Sequence, residues 1–198
     1  MLLYDSAVSG NCYKVRLLLA HLGLSYERHE LDVIDRSNRA ELLGDLNPAM
    51  RVPTLVLDDG RALAESNAIL WYLAQGSAYI PKDRFLQAKV LQWLFFEQYS
   101  HEPYIAVLRF WLFVAKLSPP AQEIETKRQG GEAALDALER QLALAPYLVG
   151  DAYSIADIAL YAYTHVADEA GFDLAERPAT RAWLARVAAQ PGHVPIGA

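Results

Sequence analysis

Two short stretches carry polar groups in a pattern suited to holding an amino acid. The first is Asn47-Pro48-Ala49-Met50-Arg51-Val52-Pro53-Thr54-Leu55, a loop that steps through Val-Pro into an apolar strand. Pro53 has no N–H, so the chain just before the strand cannot pair there as an ordinary ladder residue. Backbone groups at that step are then available to the main chain of a bound peptide. The second stretch is Ala64-Glu65-Ser66-Asn67-Ala68-Ile69, where a helix begins with an acid and a hydroxyl. The Glu65 carboxylate suits an ammonium. The amide and hydroxyl of Ser66, at the positive end of a helix, suit a carboxylate. Read locally, the same residues also describe a β-hairpin followed by a capped helix.

The flanking elements supply the frame. Leu2 to Tyr4 reads as a strand, Asn11 to Leu22 as a helix stopped by Gly23, and Ser25 to Leu31 as a second strand. Asp35 to Leu46 is a charged helix or irregular segment. Thr54–Leu57 and Arg61–Leu63 form a hairpin around Asp58-Asp59-Gly60, and Glu65–Ala74 a helix. The order is β-α-β-α-β-β-α, an α/β domain over residues 1–75. Gly76, Ser77 and Pro81 mark a linker over 76–84, and 85–198 reads as all-helical. Phe85 to Lys116 is one long helix with a kink expected at Pro103. Ala121 to Leu144 follows, with Gly130-Gly131 as its weak point. Ser154-Ile155-Ala156-Asp157 is a capping box that opens a helix running to about Glu169, before Gly171. A last helix spans about Ala179 to Ala189, and Pro191, Gly192 and Pro195 mark an irregular tail.

Composition narrows the partners. Over 198 residues the net charge is −6, with no Lys/Arg run, which argues against nucleic acid or an anionic membrane as the main partner. No stretch has the length of a membrane span, and no signal-peptide core opens the chain. The single cysteine, Cys12, excludes an intramolecular disulfide and a Cys-rich metal site, and a cytoplasmic setting fits it best. The five histidines show no ligand spacing, so no metal is expected.

Over its whole length the sequence resembles the cytosolic glutathione transferase family. Ser9-Gly10-Asn11-Cys12-Tyr13-Lys14-Val15-Arg16 looks like the active-site loop of the Ser-using bacterial members, and Asn47-Pro48 through Val52-Pro53 like the cis-proline segment. Glu65-Ser66-Asn67-Ala68-Ile69 looks like the acidic-Ser glutathione motif, and Ser154 to Asp157 like the second-domain capping box. Met50 departs from the Gly or polar residue expected at its position. The resemblance implies a thioredoxin-like first domain, an all-α second domain, and a cytoplasmic homodimer in which the first domain of one subunit meets the helical domain of the other. It implies glutathione as co-substrate and a detoxifying transferase activity on a small hydrophobic electrophile bound between the domains. An isomerase, dehalogenase or disulfide reductase with the same site is the alternative, and a non-catalytic ligand-binding or assembly scaffold is the reading outside enzymes.

The residue roles follow from that resemblance. Ser9, just before a helix, places a hydroxyl and a helix dipole where a thiolate needs stabilising, or else simply caps the helix. Asn11 is an alternative donor. Cys12 is an alternative nucleophile, although Cys12, Val15, Leu19 and Leu22 also describe a buried stripe. Val52, beside Pro53, pairs its backbone with the cysteinyl unit, while Glu65 and Ser66 hold the γ-glutamyl group. Arg51, or less directly His29 or Asn38, meets the glycyl carboxylate. Tyr99, Tyr104, Leu108, Arg109 and Trp111 form the expected wall of the electrophile pocket. Arg109 there either meets an anionic substrate group or pairs with an acid.

Overall fold

A computed structural model of the chain describes residues 1–198. It separates into two compact units, Met1–Gln75 together with Pro191–Ala198, and Gly76–Gln190.

The first unit is a four-stranded mixed sheet with helices. The strands β1 (Leu2–Asp5), β2 (Glu27–Glu30), β3 (Thr54–Val56) and β4 (Ala62–Ala64) lie in the order β2-β1-β3-β4. β1 and β2 are parallel, joined by helix α1 (Gly10–Leu22). β3 runs antiparallel to both β1 and β4, with Leu3 opposite Leu55 and Leu55 opposite Leu63. This is the β-α-β-α-β-β-α order expected from the sequence, with α2 (Arg39–Leu43) short and α3 (Ser66–Leu73) closing the unit. Gly23 ends α1 in the left-handed region at φ 63°, as its position predicted. Leu3, Leu55, Val15, Leu19 and Ile69 form a core shared by the sheet, α1 and α3. β2 is an edge strand and all four of its residues are exposed.

The second unit is all-helical. α4 (Arg84–Phe96) passes through a π turn at Glu97–His101 into α5 (Glu102–Arg109), and a second π turn spans Phe110–Val114. The expected kink at Pro103 is therefore carried by the wide turn just before it, and Pro103 sits in the first turn of α5, where a missing N–H costs little. α6 (Ala121–Leu142) crosses α5 at Gly130-Gly131. An added Cβ would lie 2.3 Å from the Tyr104 ring at Gly130 and 2.2 Å from the Phe172 ring at Gly131. The pair is thus a seat for two aromatic rings rather than a weak point. α7 (Ile155–Thr164) stops earlier than expected, and a 3-10 turn at Ala167–Ala170 fills the interval before Gly171. α8 (Pro178–Ala188) completes the unit.

The capping box of α7 is also a tertiary clamp. Asp157 Oδ2 accepts from the amide and hydroxyl of Ser154, at 2.9 and 3.0 Å. Its Oδ1 accepts from the Leu148 amide at 3.0 Å and from Trp183 Nε1 at 2.9 Å. One fully buried carboxylate thus ties α7 to α8 and to the connector before it.

The tail does not join the helical bundle, to which 85–198 was assigned. Tyr13 on α1 donates its hydroxyl to Val194 O at 2.7 Å, and the His21 ring meets Pro191 O at 2.9 Å. These bonds fasten residues 191–198 to the first unit.

Candidate active site

Ser9 is the N-cap of α1. Its Oγ accepts the Cys12 amide at 3.3 Å, and its backbone carbonyl accepts the Tyr13 amide at 2.9 Å. The hydroxyl accepts this hydrogen bond through a lone pair, and the Ser9 side chain also hydrogen-bonds the Cys12 thiol. The loop before it is tightly held: Ser9 N donates to Ser6 O at 3.0 Å, and Ala7 N to Glu30 Oε1 at 2.6 Å.

Asn11 and Ser66, 55 residues apart, meet directly, the Ser66 hydroxyl donating to Asn11 Oδ1 at 3.2 Å. Lys14, one turn along α1 and fully buried, donates its Nζ to the same Ser66 oxygen at 3.3 Å. The family resemblance gives Lys14 no role. Its signal is that it and Arg16 are cations set among the apolar residues Val15 and Leu17, Leu18 and Leu19. Ser66 opens α3, and the residue before it, Glu65, is exposed with φ 65° and ψ 113°. A non-glycine residue in that region is strained by about 1–3 kcal/mol, a cost most often seen at binding sites.

The Val52–Pro53 bond is cis. The loop before it is pinned by the buried Asn47, whose Nδ2 donates to Arg51 O and to Thr54 Oγ1, both at 3.0 Å, while its Oδ1 accepts from Ala49 N at 2.9 Å. Met50 is exposed at φ 51°. Arg51 is exposed and unengaged by its side chain, whereas Arg39 on α2 is 5 % exposed and contributes only one bond, from Nη2 to Asp32 O at 2.5 Å. Its Nε and Nη1 are buried with no hydrogen-bond partner. The sequence reading missed this cation because a charged five-residue helix shows no periodicity by which to judge burial.

Cys12 belongs to the core. It is fully buried, and burial together with the negative charge of Asp5 pushes its thiol far above the ordinary value. A thiol that stays protonated at neutral pH is a poor nucleophile, so the alternative assigning Cys12 a catalytic role is not supported.

The five residues expected to wall an electrophile pocket do not form one surface. Leu108 is fully buried, whereas Tyr99 is 85 % exposed. Tyr104 packs over Gly130 and lies 5.5 Å from Lys127 Nζ. Arg109 Nε donates to Glu169 Oε2 at 2.5 Å, which decides between its two expected roles in favour of the acid. Trp111 lies in the second π turn, partly buried. Aromatic spacing along the sequence indicated a helix without fixing which of its faces turns inward. No group of three or more His, Cys, Asp or Glu side chains is placed to hold a metal ion, and no helix is long and apolar enough to cross a membrane.

A mixed four-stranded sheet with a helix-capping Ser9, a cis-proline loop and a strained Glu65 before Ser66, followed by an all-helical unit, defines a two-part architecture with known relatives. Residues 8–75 match the model of the glutathione S-transferase N-terminal domain and residues 89–191 that of the C-terminal domain. The chain belongs to the glutathione S-transferase family. It is 31 % identical to glutathione S-transferase 3 of Zea mays, over 96 % of this chain and 89 % of the relative. A solved glutathione S-transferase from Pseudomonas fluorescens is 50 % identical, covers 98 % of each chain and superimposes with a TM-score of 0.94. The structure of Ure2p in complex with glutathione is 25 % identical, covers 96 % of this chain and 90 % of that chain, and superimposes with a TM-score of 0.87.

Proposed function

We propose that the protein ionises the thiol of glutathione and delivers the thiolate to a small hydrophobic electrophile. The observation that carries this reading is the position of Ser9. Its oxygen caps α1, at the end where the helix dipole favours an anion. A glutathione thiol begins near the ordinary cysteine value of about 8.5, and lowering it by two units requires roughly 2.7 kcal/mol. One hydrogen bond to the anion contributes about 1.5–3 kcal/mol and a helix N-terminus about 0.3–1, a combined range that spans the required figure. The proton leaves to solvent, the thiolate attacks the electrophilic carbon, and a leaving group departs or the adduct is protonated.

The remaining groups bind the peptide. Glu65 takes the γ-glutamyl ammonium, and the Ser66 amide takes its carboxylate together with the Ser66 hydroxyl, which turns to it from Asn11 Oδ1, with the Lys14 charge behind them. The Val52 backbone pairs with the cysteinyl unit. Arg39, with two buried donors lacking partners, joins Arg51 as a candidate for the glycyl carboxylate. Asn11 is the alternative donor to sulfur. The same reading includes a homodimer, supported by the exposed aromatic residues Phe85, Phe95 and Tyr99 along α4 and the turn after it. The relative bound to glutathione adds weight to the choice of peptide.

The test is retention on immobilised glutathione followed by turnover of model electrophiles. Ser9→Ala is expected to lower kcat/KM by about a hundredfold or more, against a smaller loss for Asn11→Ala. Folded protein that fails to bind glutathione would instead favour a scaffold without catalysis.

A further inference from the structure

The loop that carries Ser9 and the segment 191–198 are held by the same two guanidinium groups. Arg16, 2 % exposed on α1, donates Nη1 to Asp5 Oδ1 at 2.6 Å and to Ser6 O at 3.2 Å. Its Nη2 donates to Ala7 O at 3.2 Å and also to Ile196 O. Arg28 pairs with the other oxygen of Asp5, with Glu30 Oε2 at 3.1 Å, and donates Nη1 to Ala198 O at 2.9 Å. Glu30 in turn accepts the Ala7 amide through Oε1 at 2.6 Å. Both polar groups of Ala7 are thus bound by side chains that also bind, directly or through one ion pair, the segment 191–198.

Further contacts lay that segment along α1. The Tyr13 hydroxyl gives its proton to Val194 O, so at the His193 Nε2 contact of 3.2 Å it is the acceptor and Nε2 carries the hydrogen. Gly192 has φ 76°, and a Cβ there would lie 3.2 Å from Ala20 O, so the segment runs flush against the helix only with glycine at this position.

We infer that residues 191–198 are a brace that holds the Ser6–Ser9 loop, and through it the Ser9 hydroxyl, in the position needed to stabilise a thiolate. Arg16 and Tyr13 are its positioning residues. The inference rests on the function proposed above. A buried guanidinium needs its acceptors; with Ile196 O removed, Arg16 Nη2 turns toward water or a new partner, and the carbonyls of Ser6 and Ala7 lose a fixed donor. Small displacements of a catalytic group are expensive, because the hydrogen bond to sulfur depends steeply on distance and angle.

The experiment compares the parent chain, a chain stopped after Pro191, and the milder Tyr13→Phe. Amide hydrogen exchange at Ala7 and Ser9 is read against Leu3 and Tyr4 in β1, together with the pH titration of bound glutathione by thiolate absorption and the glutathione Kd. Exchange at Ala7 and Ser9 is expected to quicken about tenfold or more in the shortened chain while β1 is unchanged. The bound thiol is expected to titrate about one unit higher, a tenfold loss of thiolate at neutral pH, with Kd within about twofold. Tyr13→Phe is expected to move both readouts the same way by less. Unchanged exchange at Ala7 and Ser9 in a folded variant overturns the brace. Faster exchange with an unshifted thiol overturns its part in positioning Ser9. If the parent itself leaves the glutathione thiol at its ordinary value, the proposed function fails, and exchange alone decides whether the brace exists.

Discussion

Lys14 Nζ and Ser66 Oγ lie 3.3 Å apart, a buried ammonium on α1 bonded to the hydroxyl that opens α3. The hydroxyl donates a hydrogen bond to Asn11 Oδ1, so the three side chains form one polarised chain in which the positive end lies behind Ser66. Lys14→Met, which keeps the apolar stem and deletes the charge, is expected to raise the glutathione Kd about tenfold. A glutathione analogue lacking the γ-glutamyl carboxylate should bind parent and variant alike. Titration calorimetry with both peptides separates the two; equal weakening of both would show that Lys14 acts on the fold alone.

Cys12 sits in the core with its thiol held protonated. Cys12→Ala is expected to retain kcat within about twofold and to lose about 1 kcal/mol of stability through the missing sulfur. The native protein should also resist thiol reagents until it unfolds. Activity assays, denaturant melts and reagent labelling check the three statements, and rapid labelling of the folded chain would contradict the burial argument.

Asp157 gives a stability profile with a definite sign. Burial raises its carboxyl from 3.8 to about 6, against the pull of the four donors it accepts. A raised acid stabilises the fold below its unfolded value, near pH 4, and this contribution is lost as the pH rises through about 6. The loss approaches about 3 kcal/mol. Asp157→Asn should flatten that part of the urea-midpoint profile between pH 4 and 6. At pH 7 it should also cost about 1–3 kcal/mol, because its amide points a donor at donors from Ser154, Leu148 or Trp183. A variant with the parent's slope would remove Asp157 as the source.

Gly130→Ala places a methyl inside the Tyr104 ring's volume. A loss of about 1–3 kcal/mol is expected from the forced separation of α5 and α6. Pairing it with Tyr104→Leu, which shortens the opposing side chain, should recover part of that loss in a thermal melt. Additive losses would place the strain elsewhere.

The parts of the fold legible in the sequence were those set by neighbours along the chain. Gly23 ends α1, Asp58-Asp59-Gly60 turns the hairpin and Ser154 with Asp157 caps α7, each through contacts a few residues apart. What stayed hidden depends on residues distant in sequence. Nothing near Gly130 announces that Tyr104 needs its space, and nothing near Ile196 announces that Arg16 awaits its carbonyl. The candidate site divides the same way. Ser9, Pro53, Glu65 and Ser66 are named from motif order, whereas Lys14 and Arg39 are recognised only by burial, and the differing exposure of Tyr99 and Leu108 was not legible because spacing does not orient a helix.

The exposed edge strand β2 has a consequence for behaviour at high concentration. Its sequence, Glu27-Arg28-His29-Glu30, places a charged or ionisable side chain at every position along the sheet's open hydrogen-bonding margin. A foreign strand adding there would have to bury or crowd those charges, so self-templated stacking of sheets is disfavoured at this margin. The first unit thereby keeps an open sheet edge without offering it to amyloid-like growth.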